Sequence, residues 1–202
     1  MLVAIDFETA NSNPASACAV GVVQFDCNQF LSQWQSLIRP HSACGAFSYF
    51  NIGVHGITPR MVANAPEWSE LWPKLTELIA GNTLIAHNAS FDISVLLRVL
   101  ELYQLPIPDF DFFCTCKSAR RVWPELTNHR LNTISEFLDW KFKHHDALED
   151  AAAAANALRA MLRVTGVADV PELADRLGIM VGQVRDGQLS PCKVRPCRRK
   201  KS

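Results

Sequence analysis

The chain is 202 residues long, 49% of them hydrophobic, and its formal net charge is zero. This length suits one domain with a short appendage and leaves enough apolar residues for a sizeable core. No segment has the roughly 18 uninterrupted apolar residues of a membrane-spanning helix, which excludes a protein built on such helices.

Two features of the sequence bear on its compartment. The apolar start of the chain lacks the basic residues of a signal peptide and is interrupted by Asp6 and Glu8, so we expect a cytoplasmic protein. Seven cysteines are an odd number, which favours reduced thiols over a disulfide framework. The pairs Cys114/Cys116 and Cys192/Cys197 are poor matches to a structural zinc site, which favours two pairs, each with two to four intervening residues.

The first third of the chain has the pattern of an antiparallel meander. Three strand-like apolar segments separated by short polar breaks are predicted to form it: 2–9, 20–26 and 33–40. Residues 41–66 are rich in Gly and Pro and are predicted to be loop.

Strands alternate with helices in the next hundred residues. Helices are predicted at 68–81, 91–103, 131–140 and 146–166, a strand at 83–87, and a strand turning into a helix at 110–123. Pro73 predicts a break or kink in the first of these helices. The order of elements predicts an α/β fold whose sheet has an antiparallel portion.

The C-terminal part differs in composition, and we divide the chain into a domain at 1–166 and a small appendage at 167–202. Within the appendage, a short helix is predicted at 170–179 and a turn or small hairpin at 180–189. Six of the 20 basic residues lie in the last ten positions, which hold no acidic residue, so 14 basic residues face 20 acidic ones in the remainder. Such a basic tail either meets nucleic-acid phosphates or only keeps the protein soluble.

Asp6 and Glu8 form the first candidate site. They are two residues apart in a predicted strand, so both carboxylates lie on one face, roughly 7 Å apart along the chain. Ile5 and Phe7 then face the core. A bound cation would offset the repulsion and the lost hydration of the two acids, although an ordinary strand end in solvent would carry the same residues.

Asp92 forms the second candidate site. It lies in the first turn of the predicted helix that follows strand 83–87, and ligands gather at the carboxyl ends of strands in α/β sheets. Stabilisation of the helix dipole is the alternative role for this carboxylate.

The third candidate site is the start of the helix at 146–166. Asp146 and Glu149 have the spacing of a capping box, which accounts for both. Asp150 lies inside the first turns in a fixed direction, and His145 lies just before the helix on backbone predicted to be flexible and exposed. An imidazole beside a carboxylate suits a general base beside a metal ligand.

Together these segments resemble the DEDDh exonucleases, a family that includes the epsilon proofreading subunit of bacterial replicative polymerases. The resemblance covers roughly residues 1–165 and rests on Asp6-Phe7-Glu8-Thr9, on His87-Asn88-Ala89-Ser90-Phe91-Asp92, and on His145 five residues before Asp150. Val54-His55-Gly56-Ile57-Thr58 and the helix start at Leu131-Asn132-Thr133 are also similar to segments of that family.

The resemblance implies a ribonuclease-H-like fold, with a mixed five-stranded sheet flanked by helices, and two-metal phosphodiester hydrolysis. The hard oxygen ligands suit two Mg²⁺ or Mn²⁺ ions. By the resemblance, Asp6 bridges both ions, Glu8 and Asp150 complete the site of the ion that carries the attacking water, and Asp92 acts on the second ion. His145 takes the proton of that water.

The resemblance also implies which residues position the substrate. Thr9, His55, Asn88 and Phe91 are expected to contact the terminal nucleotide. The alternatives are that His55 is an ordinary histidine in a loop turn and that Phe91 packs in the core. An aromatic segment, Phe47 to Phe50, could stack on bases. Proofreading subunits tend to carry an acidic residue just before the Val-His-Gly-Ile segment, and this chain has none there, which puts recognition of the strand end in doubt.

The resulting hypothesis is a metal-dependent 3′→5′ exonuclease that releases nucleoside monophosphates from DNA ends, in proofreading or repair. Its expected partners are single-stranded or frayed 3′ ends, together with a polymerase or a sliding clamp. One alternative is an exoribonuclease that trims RNA 3′ ends with the same chemistry. Another is a non-catalytic polymerase or clamp accessory, for which Gln188-Leu189-Ser190-Pro191-Cys192 is a weak clamp-binding motif.

Overall fold

A computed structural model describes residues 1–195, and its first strands form the predicted meander. β1 (Leu2–Thr9), β2 (Ala17–Phe25) and β3 (Phe30–Leu37) are antiparallel neighbours. The second and third strands begin earlier than predicted, at Ala17 and Phe30. β1 and β2 are buried along most of their length, so both have nearly continuous apolar sequences.

The segment predicted to be loop contains two short helices. α1 (Tyr49–His55) is capped by the Ser48 side chain and ends at Gly56, whose φ of 76° is left-handed. α2 (Pro59–Val62) is a single turn that begins with proline. The loop prediction is wrong here because α1 has seven residues and buries none of them, so no apolar periodicity marks it.

α3 (Trp68–Ile79) continues through Pro73, so the predicted break in this helix is wrong. The helix buries Trp68 and Trp72, whose rings stack with centroids 5.9 Å apart. Burying two such rings outweighs the roughly 3 kcal/mol that an interior proline costs a helix.

The following elements agree with the predictions to within a few residues. In chain order they are β4 (Thr83–Ala86), α4 (Ser90–Leu102), β5 (Phe110–Cys114), α5 (Thr115–Val122), α6 (Leu131–Phe137) and α7 (Ala147–Thr165). β4 pairs in parallel with β1, and β5 pairs in parallel with β4. The carboxyl ends of β1, β4 and β5 therefore meet at one edge of the sheet.

The C-terminal elements contain the predicted short helix and the predicted hairpin. They are α8 (Val170–Leu177), β6 (Ile179–Met180), β7 (Gly182–Arg185), β8 (Gln188–Ser190) and β9 (Lys193–Val194). β7 and β8 form the hairpin, which turns at Asp186 and Gly187, both in left-handed conformation, as expected for an Asp-Gly turn. β6 pairs with β9. Cys197 and the end of the basic tail lie outside the described residues, and the division at residue 166 remains a prediction.

The main sheet has the order β3-β2-β1-β4-β5-β7-β8. The predicted mixed α/β class is confirmed, but the predicted count of five strands is too low, because residues 1–195 contribute seven strands to this sheet. β7 pairs with β5 through Phe110, Asp111 and Phe112, and so adds the hairpin to the edge that a five-stranded sheet would leave open. Covering this edge removes a row of unpaired backbone groups.

α7 packs across β1 and β2 and is the helix that fixes one side of the site. Its buried face is almost entirely alanine, from Ala151 to Ala157, which allows a close approach to the sheet. At Gly21 of β2 a Cβ would lie 2.2 Å from the backbone of Ala147, so only glycine fits beneath the start of this helix. Within residues 1–195, neither this 19-residue helix nor any other is long and apolar enough to cross a membrane.

Candidate active site

Asp6 and Glu8 lie on one face of β1 near its carboxyl end, as the period of two predicts. Ile5 and Phe7 between and beside them are buried in the core, with exposed fractions of 0% and 2%. One carboxylate oxygen from each acid lies within 4.8 Å of the other and of an oxygen of Asp150. Residues 144 positions apart in the sequence therefore contribute to one carboxylate cluster.

Asp92 lies beneath this cluster, in the first turn of α4. Its Oδ1 accepts a hydrogen bond from the Phe7 N–H, with N and O 3.2 Å apart, and this contact ties α4 to β1 between the two acids of the strand. The side chain is buried, and its Oδ2 has no hydrogen-bond partner. A buried carboxylate oxygen without a partner is costly for the fold, so this atom is available to a cation or to a proton.

The start of α7 is built as the capping pattern predicts. Asp146 accepts a hydrogen bond from the Glu149 N–H, and Asp150 is buried. His145 lies outside the helix, but its backbone is not free as predicted, because its N–H donates to Asp150 Oδ2 at 2.9 Å. This residue has a φ of 65°, a left-handed conformation that a histidine adopts at some cost.

His144 is a site residue that the sequence reasoning missed. Its Nδ1 is hydrogen-bonded to Asp150 Oδ1 at 2.8 Å, and its ring stacks on that of His145 with centroids 3.9 Å apart. Burial and the neighbouring His144 lower the pKa of His145, which keeps its imidazole neutral near pH 7. The histidine doublet was visible in the sequence, but its contact with Asp150 depends on the left-handed turn.

The carboxyl groups of the cluster are poorly solvated and repel one another. Burial raises the pKa of Glu8 to about 8, with nearby Asp150 and Asp92 adding to the shift. Burial also raises the pKa of Asp92 to about 8 and that of Asp6 well above its usual value, and it raises the pKa of Asp150. Among residues 1–195, no lysine or arginine shifts the pKa values of Asp6, Glu8 and Asp92, whereas the hydrogen bond with His144 partly offsets the raised pKa of Asp150.

The cluster opens into a cleft of about 740 Å³, within the usual range for ligand sites of roughly 300–1,000 Å³. All four predicted substrate-binding residues line it: Thr9, His55, Asn88 and Phe91. Asp92 itself is 1% exposed and lies beneath the floor. The structure thus brings together the three predicted segments, while the roles of their residues remain predictions.

A family comparison decides what this arrangement belongs to. The RNase T model, which describes an exonuclease domain, matches residues 3–158, more than half of the chain.

The chain belongs to the RNase T exonuclease family.

The predicted resemblance is thereby confirmed at the level of the family. The matched range includes all four carboxylates of the site and His145.

Relatives and solved structures agree with this assignment. The chain is 33% identical over 167 residues to DNA polymerase III PolC-type of Bacillus cereus, and 30% identical over 158 residues to the protein of that name in Caldanaerobacter subterraneus. These alignments cover 80% and 76% of this chain but only 11% of each relative, so the chain spans about a tenth of their length.

Among solved structures, Exonuclease X in complex with 5′ overhanging duplex DNA has a TM-score of 0.71 and 26% identity. That comparison covers 88% of this chain and 100% of the other. The nuclease domain of 3′hExo, a DEDDh family member bound to rAMP, has a TM-score of 0.65 at 21% identity and covers 80% of this chain and 91% of the other. The predicted ribonuclease-H-like fold is confirmed by these neighbours.

In this exonuclease domain, Thr9 is held by two side chains of α1. Its carbonyl oxygen accepts from Asn51 Nδ2 at 2.9 Å and from His55 Nε2 at 3.2 Å. His55 Nδ1 accepts from the Ile57 N–H, which assigns the proton of a neutral ring to Nε2. His55 was predicted on a loop turn but is the last residue of α1, and Asn51 was not predicted because α1 itself was missed.

The three aromatic side chains of the segment from Phe47 to Phe50 have different surroundings in the exonuclease domain. Phe47 packs against the small apolar cluster that contains Ile57. Tyr49 and Phe50 are exposed, and only Phe50 of the three lines the cleft.

A second wall of the cleft contains His87, the first residue of the His87–Asp92 motif, and four residues that the sequence reasoning did not single out: Arg120, Asn128, His129 and Arg130. They come from the end of β4, the end of α5 and the loop before α6, which are separated in sequence. No short motif joins the four, so only the fold shows that they line the same cleft as the carboxylates.

Proposed function

We propose that this chain is a metal-dependent 3′→5′ exonuclease domain that releases nucleoside monophosphates from DNA ends. One observation carries the proposal: carboxylates from β1, α4 and α7 converge with the imidazole of His145 at the floor of an open cleft. Family membership supports phosphodiester hydrolysis as the chemistry of this cleft.

The residues of the site fit two Mg²⁺ or Mn²⁺ ions. The donors are Asp6, Glu8, Asp92 and Asp150, all hard oxygen ligands of the kind these ions prefer. The unpartnered Oδ2 of Asp92 and the raised pKa values of the cluster support a site built for added positive charge. Such ions supply charge neutralisation at the phosphate and an activated water.

His145 is the group that we propose as the general base. Its neutral ring accepts the proton that the attacking water loses. The water oxygen forms a bond to phosphorus while the bond from phosphorus to the 3′ oxygen breaks. That oxygen leaves with the bonding electrons and takes up a proton, which gives a nucleoside 5′-monophosphate and a chain with a new 3′-hydroxyl.

We propose that Thr9, Asn51 and His55 position the terminal nucleotide as one hydrogen-bonded unit. Phe50 and Phe91 are partly exposed aromatic rings on the cleft and suit stacking on a base, which tolerates any sequence. Asn88, with a left-handed φ of 67°, lies in the turn between β4 and α4 and lines the same cleft.

DNA is the substrate that the observations favour, because the PolC-type relatives are named as DNA polymerases and Exonuclease X was solved with duplex DNA. We propose a polymerase as the assembly in which this domain acts, in proofreading or repair. The clamp alternative has less support, since Gln188–Ser190 is paired in β8 and Cys192 is buried. The cytoplasmic location remains a prediction.

The test uses single-stranded DNA and the matching RNA, each labelled at its 5′ or its 3′ end. With Mg²⁺, a 3′ label should leave at once as a mononucleotide, while a 5′-labelled strand should shorten stepwise. EDTA or Asp6→Asn should stop both reactions. Asp146→Asn is the matched control, because it removes a nearby carboxylate but keeps the helix cap.

Absence of EDTA-sensitive release from either substrate would reject the exonuclease proposal. Faster release from RNA than from DNA would instead support the exoribonuclease alternative.

A further inference from the structure

Two arginines on the second wall of the cleft have no assigned partner in the proposed chemistry. Arg120 is in the last turn of α5, and Arg130 directly precedes α6. Both are exposed, and both line the cleft that holds the carboxylate cluster. Among residues 1–195, no acidic side chain forms a salt bridge with either guanidinium.

The wall that carries them is held in place by a buried histidine. His87 Nε2 donates to the His129 carbonyl at 2.9 Å, and its Nδ1 lies 2.9 Å from the Thr115 hydroxyl at the start of α5. Burial lowers the pKa of His87 to about 4, so the ring is neutral and Nδ1 accepts from that hydroxyl. One ring therefore links β4 to α5 and to the loop beside Arg130.

The loop has a second fixed point next to the arginine itself. Asn128 Oδ1 accepts from the Arg130 N–H at 3.0 Å and from the Thr133 hydroxyl at 2.8 Å. The backbone at Arg130 is thus set before any ligand arrives. A guanidinium on a fixed backbone loses less freedom when it binds an anion.

The distribution of charge in the cleft is uneven in a way that suits a chain of phosphates. Asp6, Glu8 and Asp150 line this cleft, and so do Arg120 and Arg130. A lone nucleoside monophosphate presents its one phosphate to the floor and leaves nothing for the arginines. An oligonucleotide presents further phosphates upstream of the bond to be cut, and planar guanidinium groups bind phosphate oxygens in pairs.

We propose that Arg120 and Arg130 form a binding site for the phosphates upstream of the terminal nucleotide, and so select single-stranded chains over mononucleotide esters. The inference rests on the proposed exonuclease function for its substrate, but not for its binding measurement.

Arg121 provides a matched control on the same helix. It is exposed, as Arg120 is, and it lies in the same last turn of α5, but it does not line the cleft. Lys117 of this helix is not a useful control, because its Nζ donates to the Cys192 carbonyl.

The experiment compares Arg120→Ala, Arg130→Ala, their double variant and Arg121→Ala. Equilibrium binding of fluorescein-labelled single-stranded DNA is followed by anisotropy in EDTA at several salt concentrations. Each lost phosphate contact should reduce the slope of log affinity against log salt by about 0.7, so the double variant should lose about 1.4. Arg120→Lys should recover part of the affinity, and Arg121→Ala should resemble the wild type.

Turnover separates this inference from the proposed function. With Mg²⁺, the double variant should lose at least about tenfold in kcat/KM on the oligonucleotide yet hydrolyse the p-nitrophenyl ester of thymidine 5′-monophosphate at the wild-type rate. If the wild type hydrolyses neither substrate, the proposed function is wrong. The binding measurement still shows whether Arg120 and Arg130 bind the phosphates of single-stranded DNA. If affinity and salt slope of the double variant equal those of Arg121→Ala, the inference is overturned.

Discussion

Folding raises the pKa values of single carboxyl groups at the site. A carboxyl group whose pKa is raised by folding binds its proton more tightly in the folded state than in the unfolded state. Its contribution to stability is therefore complete at low pH and is lost as the pH rises from its unfolded value, near 4, towards its folded value. For Glu8 and Asp92 the folded pKa is about 8.

The metal-free protein should accordingly be less stable at pH 8 than at pH 5.5 because of these groups. Asp92→Asn keeps the acceptor for the Phe7 N–H and removes the charge, so it should raise Tm at pH 8 without cations. A gain of about 1 kcal/mol corresponds to roughly 2–4 °C for a chain of this size. Differential scanning fluorimetry at both pH values, with EDTA or Mg²⁺, measures this.

Mg²⁺ should raise the Tm of the wild type more at pH 8 than at pH 5.5, and should raise that of Asp92→Asn less. Asp111→Asn is the control, since Asp111 pairs with Arg185 away from the cluster. A wild-type Tm that does not change when Mg²⁺ is added at pH 8 would contradict a cation site in the carboxylate cluster.

His145 differs from the carboxylates because its proposed role is in turnover and not in holding the ions. His145→Ala should lower kcat by at least about 100-fold, the lower end of the range for general bases, and should keep the Mg²⁺-dependent rise in Tm. His41→Ala, which removes a histidine outside the cleft, controls for nonspecific effects. Equal kcat values for His145→Ala and His41→Ala would show that His145 is not the general base.

The sequence allowed the chemical groups of the site to be predicted better than their surroundings. Asp6 and Glu8 follow from a period of two, and the carboxylate at 150 follows from its place inside a capped helix. Asn51 and Arg130 could not be found in this way. Their contacts with the cleft depend on how separate segments pack, which short sequence patterns do not encode.

At the scale of elements, the position of α7 decides whether the site exists. The helix brings Asp150 to β1 because β2 has glycine where the helix begins. Gly21→Ala would place a methyl group 2.2 Å from the Ala147 backbone, so the helix must shift. Overpacking of this kind typically costs about 1–3 kcal/mol, and small displacements of catalytic groups are costly. Both Tm and kcat should fall.

Gly182→Ala is the matched control for that prediction. Its methyl group would meet the ring of Phe112 at 2.2 Å, where β7 joins β5. This change should lower Tm but leave kcat near the wild-type value. A Gly21→Ala variant that loses stability without losing kcat would show that the helix start tolerates the shift.

Physical reasons explain why some elements were predicted poorly from the sequence. α1 lacks a buried face, and α3 is held together by tertiary burial in spite of Pro73. The long helices and the meander were predicted well because their apolar patterns are long. The number of strands was underestimated because the count of five came from the resemblance, and no sequence pattern showed that the predicted hairpin pairs with β5.

At the scale of the whole molecule, positive charge is concentrated at the C-terminus. Residues 196–202 contain four of the 20 basic residues and no acidic residue. Removing 196–202 should weaken binding of single-stranded DNA at low salt and flatten its dependence on salt, while Tm stays unchanged. Anisotropy titrations and scanning fluorimetry measure the two effects.

The boundary of that deletion follows from the structure. A deletion from residue 193 would also remove β9 and the salt bridge from Arg195 to Asp175, and should lower Tm. If the shorter deletion leaves the salt slope unaltered, the tail serves solubility and not binding.

The left-handed backbone at His145 has a consequence for chemical complementation. Glycine adopts a φ of 65° without strain, whereas alanine does not. His145→Gly should therefore fold at least as stably as His145→Ala and leave an imidazole-sized gap beside the ring of His144. Free imidazole added to this variant should restore hydrolysis in proportion to its concentration, whereas N-free buffers of the same pKa should not. Hydrolysis by this variant would then begin when imidazole is added and stop when imidazole is removed, because the left-handed backbone at this position accepts glycine.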